Sequence, residues 1–309
     1  MRFSIKLFAI CLLSAVYIVC ITGCADTSPI KTTSTPQHLY VGNDNASGQI
    51  FQYTLPITST STPVVTVTSS NVVAVAVDSN GNLGVGDNAG HLSFFSAPLT
   101  NASTPSATFN NGTATNDGQT AFDSAGDLFA SNVSTKVNVF THPVSSASTP
   151  SQAITDASLV STIGAAFDSA GNLYVSNAGT GGGTGSTLLV YASPYSGAPI
   201  ITPNVATTAY RKIALTSTQL FVASVAGSTG RVDVYNLPIT ASSAPAFAIT
   251  NVNTPEGLAT DSSGNLYVGN LSDATIRVFT PPFSATSPPT TTLTVSSGAF
   301  AIFGIAIGE

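Results

Sequence analysis

The sequence predicts an all-β fold: a six-bladed β-propeller of four-stranded blades, with the ring closed by a C-terminal strand that joins the N-terminal blade. Three observations predict it. A turn motif recurs every 45 to 48 residues. Each repeat carries four short β-type runs. The first and last repeats are incomplete in complementary ways.

The turn motif comes first, because repeats decide an architecture before any single element does. It stands at Asp78-Ser-Asn-Gly-Asn82, Asp123-Ser-Ala-Gly-Asp127, Asp168-Ser-Ala-Gly-Asn172 and Asp261-Ser-Ser-Gly-Asn265, with a degenerate copy at Thr216-Ser-Thr-Gln219. An Asp at the start of a turn can accept from backbone amides ahead of it, and Gly supplies positive φ. An Ala/Val-rich run precedes each turn. A Leu-Tyr-Val-type run follows it, as in Leu173–Val175. The third run alternates apolar and polar residues, as in Arg231-Val-Asp-Val-Tyr235. A Pro-rich loop then leads to the fourth, as in Phe247–Ile249. Four strands at a period near 45 fit a propeller blade. A parallel β-helix has a much shorter period.

The ends close the ring. His38-Leu-Tyr-Val-Gly-Asn43 matches Asn265-Leu-Tyr-Val-Gly-Asn270, so the first repeat starts at its second strand. Phe303-Gly-Ile-Ala-Ile-Gly308 matches Glu256-Gly-Leu-Ala-Thr-Asp261, a first strand with nothing after it. Joined, they make one complete blade, bringing the total to six, and remove the open edge. The propeller spans residues 37–309.

Composition agrees and excludes other classes. Only 7% of the 309 residues are charged, against roughly 25% in an average globular protein. Ser and Thr fill 82 positions. Eight Lys and Arg make no basic face for nucleic acid. Only one apolar run is long enough to concern a membrane, so a polytopic membrane protein is excluded.

That run is N-terminal. Arg2 and Lys6 precede an apolar stretch from Leu7 to Val19, and small residues follow, as in a secretory signal. Ile21-Thr22-Gly23-Cys24 resembles the lipobox of bacterial lipoproteins at all four positions. The resemblance implies that residues 1–23 are a signal peptide and that Cys24 is acylated on its thiol. Cys24 would then be the mature N-terminus and a membrane anchor. It implies an extracytoplasmic, lipid-anchored place in the cell envelope. Ala25 in place of Asp implies the outer membrane if the source is Gram-negative. Residues 24–36 are Ser/Thr/Pro-rich and read as a flexible tether. The three cysteines are Cys11, Cys20 and Cys24, so the propeller itself holds no thiol chemistry.

Within the repeats, Pro255-Glu-Gly-Leu-Ala-Thr-Asp-Ser-Ser-Gly-Asn-Leu-Tyr-Val-Gly-Asn270, continuing to Ile276-Arg-Val-Phe279, resembles the NHL repeat family of propellers. Nearly the whole mature chain shares the resemblance. It implies the fold but no single function, because such repeats serve as binding scaffolds, signalling domains and a few enzymes.

The Asp turns and Pro-rich loops fall on one face of the disc and are uniform from blade to blade, which suits a structural role. The opposite face varies, as a binding surface does. Its loops into the innermost strands carry Asn116, Asp117, Tyr210, Arg211 and Glu256, the polar groups that could converge at the channel mouth and bind a ligand. Alternatively, Arg211 and Glu256 sit apart on separate solvated loops. Asn43, Asp87, Asn132, Asn177 and Asn270, one after each second strand, either cap the next turn or form a polar ring for sugar hydroxyls; the cap is the favoured reading.

Acid–base chemistry has little to draw on. The three His are His38, His91 and His142, and the two Glu are Glu256 and Glu309. No Ser–His–acid triad is visible. Gluconolactonase-like propellers hold a metal with Glu, Asp and Asn at the channel mouth; by resemblance the counterparts are Glu256, Asn116 and Asp117. Streptogramin lyases need a His near a Glu, which is missing here. The sequence therefore favours a monomeric, lipid-anchored, non-enzymatic binding or scaffold module for a protein or a glycan, with no cofactor, metal or nucleic acid. The alternatives are a metal-dependent lactonase or hydrolase and a structural or adhesive envelope protein.

Overall fold

The computed structural model describes residues 36–44, 48–69, 71–112, 118–180, 183, 185–202, 208–295 and 301–309. Cys24, Asn116 and Asp117 lie outside the described residues. The expected architecture is present: 24 strands in six antiparallel four-stranded sheets, with no helix among the described residues. The innermost strands are β4 (Val72–Val77), β8 (Thr120–Phe122), β12 (Thr162–Phe167), β16 (Ala209–Leu215), β20 (Pro255–Thr260) and β24 (Ile302–Gly308). Each packs on the next around a closed ring.

The closing blade, counted as the first with the other five following in chain order, joins the two ends of the chain. Its order is β24, then β1 (His38–Asn43), β2 (Gln49–Thr54) and β3 (Val65–Thr68). His38 pairs with Gly308, and Val41 with Ile305. A β-sheet side chain points to alternate faces, so each blade offers an apolar layer to both neighbours. The core is therefore six layers between blades rather than one centre. One such layer packs Leu39, Val41 and Tyr53 of the closing blade against Tyr267, Ile276 and Val278 of its neighbour.

The repeated turn works as its sequence requires. Asp78 Oδ1 accepts the Asn80 and Asn82 amides at 2.8 and 2.9 Å, and its Oδ2 accepts Asn82 Nδ2 at 2.7 Å. Gly81 takes φ +80°. Asn82 Oδ1 then accepts the Ala97 amide, tying the turn to the Pro-rich loop. Asp168 and Asp261 repeat the carboxylate pattern.

Those loops account for much of the hydroxyl content. The Thr58 amide donates to Ser61 Oγ at 2.8 Å, and the same bond recurs at Thr100/Ser103, Ser145/Ser148, Thr240/Ser243 and Ser284/Ser287. Each hydroxyl satisfies a loop amide that no strand reaches. Each loop also tucks one apolar side chain into a layer between blades, from Ile57 to Ile239 and Phe283. The degenerate turn differs. Leu215 pairs with Leu220, whereas Val77 pairs with Leu83, so the fifth blade's turn is one residue shorter and has no carboxylate.

Candidate functional site at the channel mouth

A β-bulge sits near the start of the inner strands. The register shifts between Val72 and Ala74, Thr162 and Gly164, Tyr210 and Ile213, and Pro255 and Gly257. It shifts again where β24 meets Asn43. A bulge sets one extra residue opposite a partner strand and re-aims its side chain. The residues five before each turn Asp, or its counterpart, are Val73, Gly118, Ile163, Arg211, Glu256 and Phe303. All six line one small cavity of about 80 Å³, together with Asp44, Val133 and Lys212. The fold thus gathers one residue per blade into a ring at the mouth.

The next residue along forms a second, tighter ring: Ala74, Gln119, Gly164, Lys212, Gly257 and Gly304. Four are small because the blades nearly touch. A Cβ on Gly164 would stand 3.0 Å from the Arg211 carbonyl oxygen, and one on Gly257 would stand 2.9 Å from that of Phe303. The two long side chains fill the centre. Lys212 is 4% exposed. Its Nζ donates to the carbonyls of Val73 and, at 2.8 Å, Phe303, and lies 5.7 Å from the Phe303 ring centroid. Gln119 Nε2 donates to the Ile213 carbonyl at 2.9 Å, and its Oε1 accepts the Ile213 and Ala165 amides. These two residues bond backbones across the ring, so the channel below the mouth is occupied by protein.

Arg211 and Glu256 meet. Arg211 Nε approaches Glu256 Oε1 at 3.3 Å, with the Arg211 side chain 36% exposed and that of Glu256 5%. The contact is one of charge, because that N–H is not aligned on the oxygen. Burial pushes the Glu256 carboxyl above its ordinary value, and the charges of Arg211 and Lys212 offset only part of this. Asp44 is raised in the same way, by burial, with Lys212 opposing. The mouth is therefore a balanced polar cluster: two cations, two carboxylates and a rim of Val73, Ile163 and Phe303.

Tyr210 does not join this cluster. It precedes the bulge, so its side chain turns the other way, into the layer between the fourth and fifth blades. It is 1% exposed. Its hydroxyl lies 2.5 Å from that of Tyr235, and burial pushes its phenol up to about 12. Of the Asn and Asp after the second strands, Asn177, Asn270 and Asp87 act as caps. Asn177 Oδ1 accepts the Val160 and Ser161 amides, Asn270 Oδ1 accepts the Asn253 amide, and Asp87 Oδ1 accepts those of Ala89 and His91. No hydroxyl-binding ring of free amides forms from these three. His91 is exposed and pairs with Asp87 at 3.0 Å, away from Glu256.

Among the described residues no group of three His, Cys, Asp or Glu could hold a metal ion. Glu256 is the described member of the lactonase-like set, and it already faces two cations, which opposes a divalent ion at the same carboxylate. Sequence reasoning singles out neither Lys212 nor Gln119. Their signal is in the aligned repeats, where two long polar residues stand in a column otherwise filled by Gly and Ala.

No family model matches the chain, and no curated protein matches it. Among solved structures, it is similar to the crystal structure of a protein of unknown function from Bacteroides caccae. The TM-score is 0.64 at 12% sequence identity, covering 88% of this chain and 99% of that one. At that identity the likeness is one of fold alone; the strand order of the chain itself makes it a six-bladed β-propeller of four-stranded blades.

Proposed function

We propose that this protein is a lipid-anchored, extracytoplasmic propeller of the NHL-repeat type, which binds a protein or glycan partner of the cell envelope at its channel mouth and performs no catalysis there. The observation that carries this reading is the Arg211–Glu256 pair. A carboxylate is held almost fully buried, against the preference of its charge, beside an Arg side chain that is partly exposed. Groups kept in such unfavourable states cluster at functional sites. Lys212 and Gln119 fill the channel beneath, and the cavity of about 80 Å³ is well below the several hundred Å³ of a usual substrate pocket. A partner would be met at the rim, with Arg211 donating and Phe303, Ile163 and Val73 offering apolar contact.

Two arms test the proposal. Cys24→Ala should abolish palmitate labelling and release the chain from membranes; a variant that stays labelled contradicts the anchor. Capture of envelope partners by the full chain should fall at least about tenfold, roughly 1.4 kcal/mol, when Arg211→Ala and Glu256→Gln are combined. Undiminished capture by a folded double variant contradicts the mouth as the binding surface.

A further inference from the structure

The opposite face carries a feature that the mouth does not explain. Two clefts of about 480 and 450 Å³ flank the short turn of the fifth blade, one toward the fourth blade and one toward the sixth. They share a wall, Leu215 to Ser217. In the second, third, fourth and sixth blades a five-residue Asp turn stands at this position. Here the turn is one residue shorter, and the space opens on both sides of it. Each volume falls within the range of small-molecule sites.

The linings define the ligand chemistry. Ser169, Thr216 and Ser217 bring hydroxyls to the first cleft, and Thr218, Ser262 and Ser263 bring them to the second. Apolar surface comes from Phe167 and Pro238 in one, and from Pro281 and Phe283 in the other. No Lys or Arg lines either cleft. The carboxylates present are already used. Asp168 accepts the Ala170 and Asn172 amides, Asn172 Nδ2 and the Tyr174 hydroxyl. Asp261 accepts the Ser263 and Asn265 amides, Asn265 Nδ2 and the Tyr267 hydroxyl. With four donors each, they leave a cation no oxygen to take, and their charge repels an anion.

We infer that this paired cleft is a binding site for a neutral oligosaccharide that straddles the short turn, with sugar units on both sides of it. Sugar hydroxyls meet the Ser and Thr hydroxyls, and the apolar C–H faces lie on the Phe and Pro rings. The site is on the other face from the mouth, and the inference stands independently of the reading given there.

The test is a glycan array probed with the full chain, carrying both neutral and charged oligosaccharides, followed by calorimetry on the strongest neutral binder. The expected result is binding to at least one neutral oligosaccharide. Ser217→Trp, on an exposed turn, should weaken it at least about tenfold. Replacing Thr216–Gln219 by the Asp-Ser-Ala-Gly-Asn turn of the fourth blade should do the same, with a cooperative melt confirming that each variant is folded. Asn80→Trp, on the equivalent turn of the second blade, should bind as the parent does. The inference is overturned if no neutral oligosaccharide binds, if only charged ones do, or if either folded fifth-blade variant binds as well as the parent. Loss of envelope-partner capture in the Arg211/Glu256 variant is a separate readout, so either proposal can fail alone.

Discussion

A chain that ends at Ala301 is expected not to fold. Such a truncation removes β24, which pairs with β1 from His38↔Gly308 to Asn43↔Ile302. It strips the closing blade of its inner strand and leaves β1 an open edge. Ile302 and Ile305 are buried in the layer between the closing blade and its neighbour. Losing two such side chains alone removes about 4–10 kcal/mol, against a total stability of about 5–15 kcal/mol for a typical domain. Circular dichroism and gel filtration of the truncated chain should show unfolded or aggregated material. A permuted chain, with Glu309 linked to Gln37 and new ends between Ala241 and Ser242 in an exposed Pro-rich loop, should melt cooperatively. A folded, monomeric truncation would contradict closure by the two chain ends.

The second large effect is expected at Lys212. Lys212→Met keeps the bulk of the side chain and removes the ammonium. The carbonyls of Val73 and Phe303 lose their donor, and each buried group left unsatisfied costs about 1–3 kcal/mol. Thermal unfolding should shift down by roughly 4–24 °C, taking about 2–4 °C per kcal/mol for a domain of this size. Loss of the second cation should also push the Glu256 carboxyl higher still. An unchanged melting temperature would show that Lys212 does not hold the ring together.

The ring was legible in the sequence because it is made of local patterns that recur. The turn Asp bonds groups no more than four residues ahead and its Gly supplies the positive φ, so their meaning is contained in the motif. The complementary half-repeats at His38–Asn43 and Phe303–Gly308 gave the closure for the same reason. The mouth was legible only in part. Arg211 and Glu256 could be placed on neighbouring inner strands, but whether they meet depends on a bulge, and nothing in a single repeat marks one. The bulge also decides Tyr210: strict alternation would set it on the same face as Lys212, yet the extra residue leaves it in the layer with Tyr235. Lys212 and Gln119 act on backbones of distant blades, at sequence separations of 139, 91 and 94 residues, where only the closed ring brings partners within reach. The clefts beside the short turn were present as a missing residue and a missing carboxylate at Thr216–Gln219. Their consequence is the space left on the two flanks, which a sequence does not record.

These features concentrate in the fifth blade, which supplies Arg211, Lys212 and the short turn. Uniform blades build the scaffold, and the departing one supplies what is distinctive on both faces. At the mouth, the account rests on a carboxylate held where its charge is disfavoured. A Glu whose folded value is raised favours the folded state in acid, and that contribution is lost as pH rises through the raised value. Stability should therefore decline above the ordinary glutamate value of 4.5, and Glu256→Gln should remove that part of the decline.

The most direct measurement is a carbon-13 NMR titration of glutamate-labelled protein. The chain has only two Glu, Glu256 and Glu309, so two side-chain carboxyl signals are expected, and Glu256→Gln identifies one of them. The Glu256 signal is expected to titrate above 4.5. A Glu256 that titrates at or below that value would mean a comfortable surface ion pair, and would contradict the mouth as a site maintained against stability.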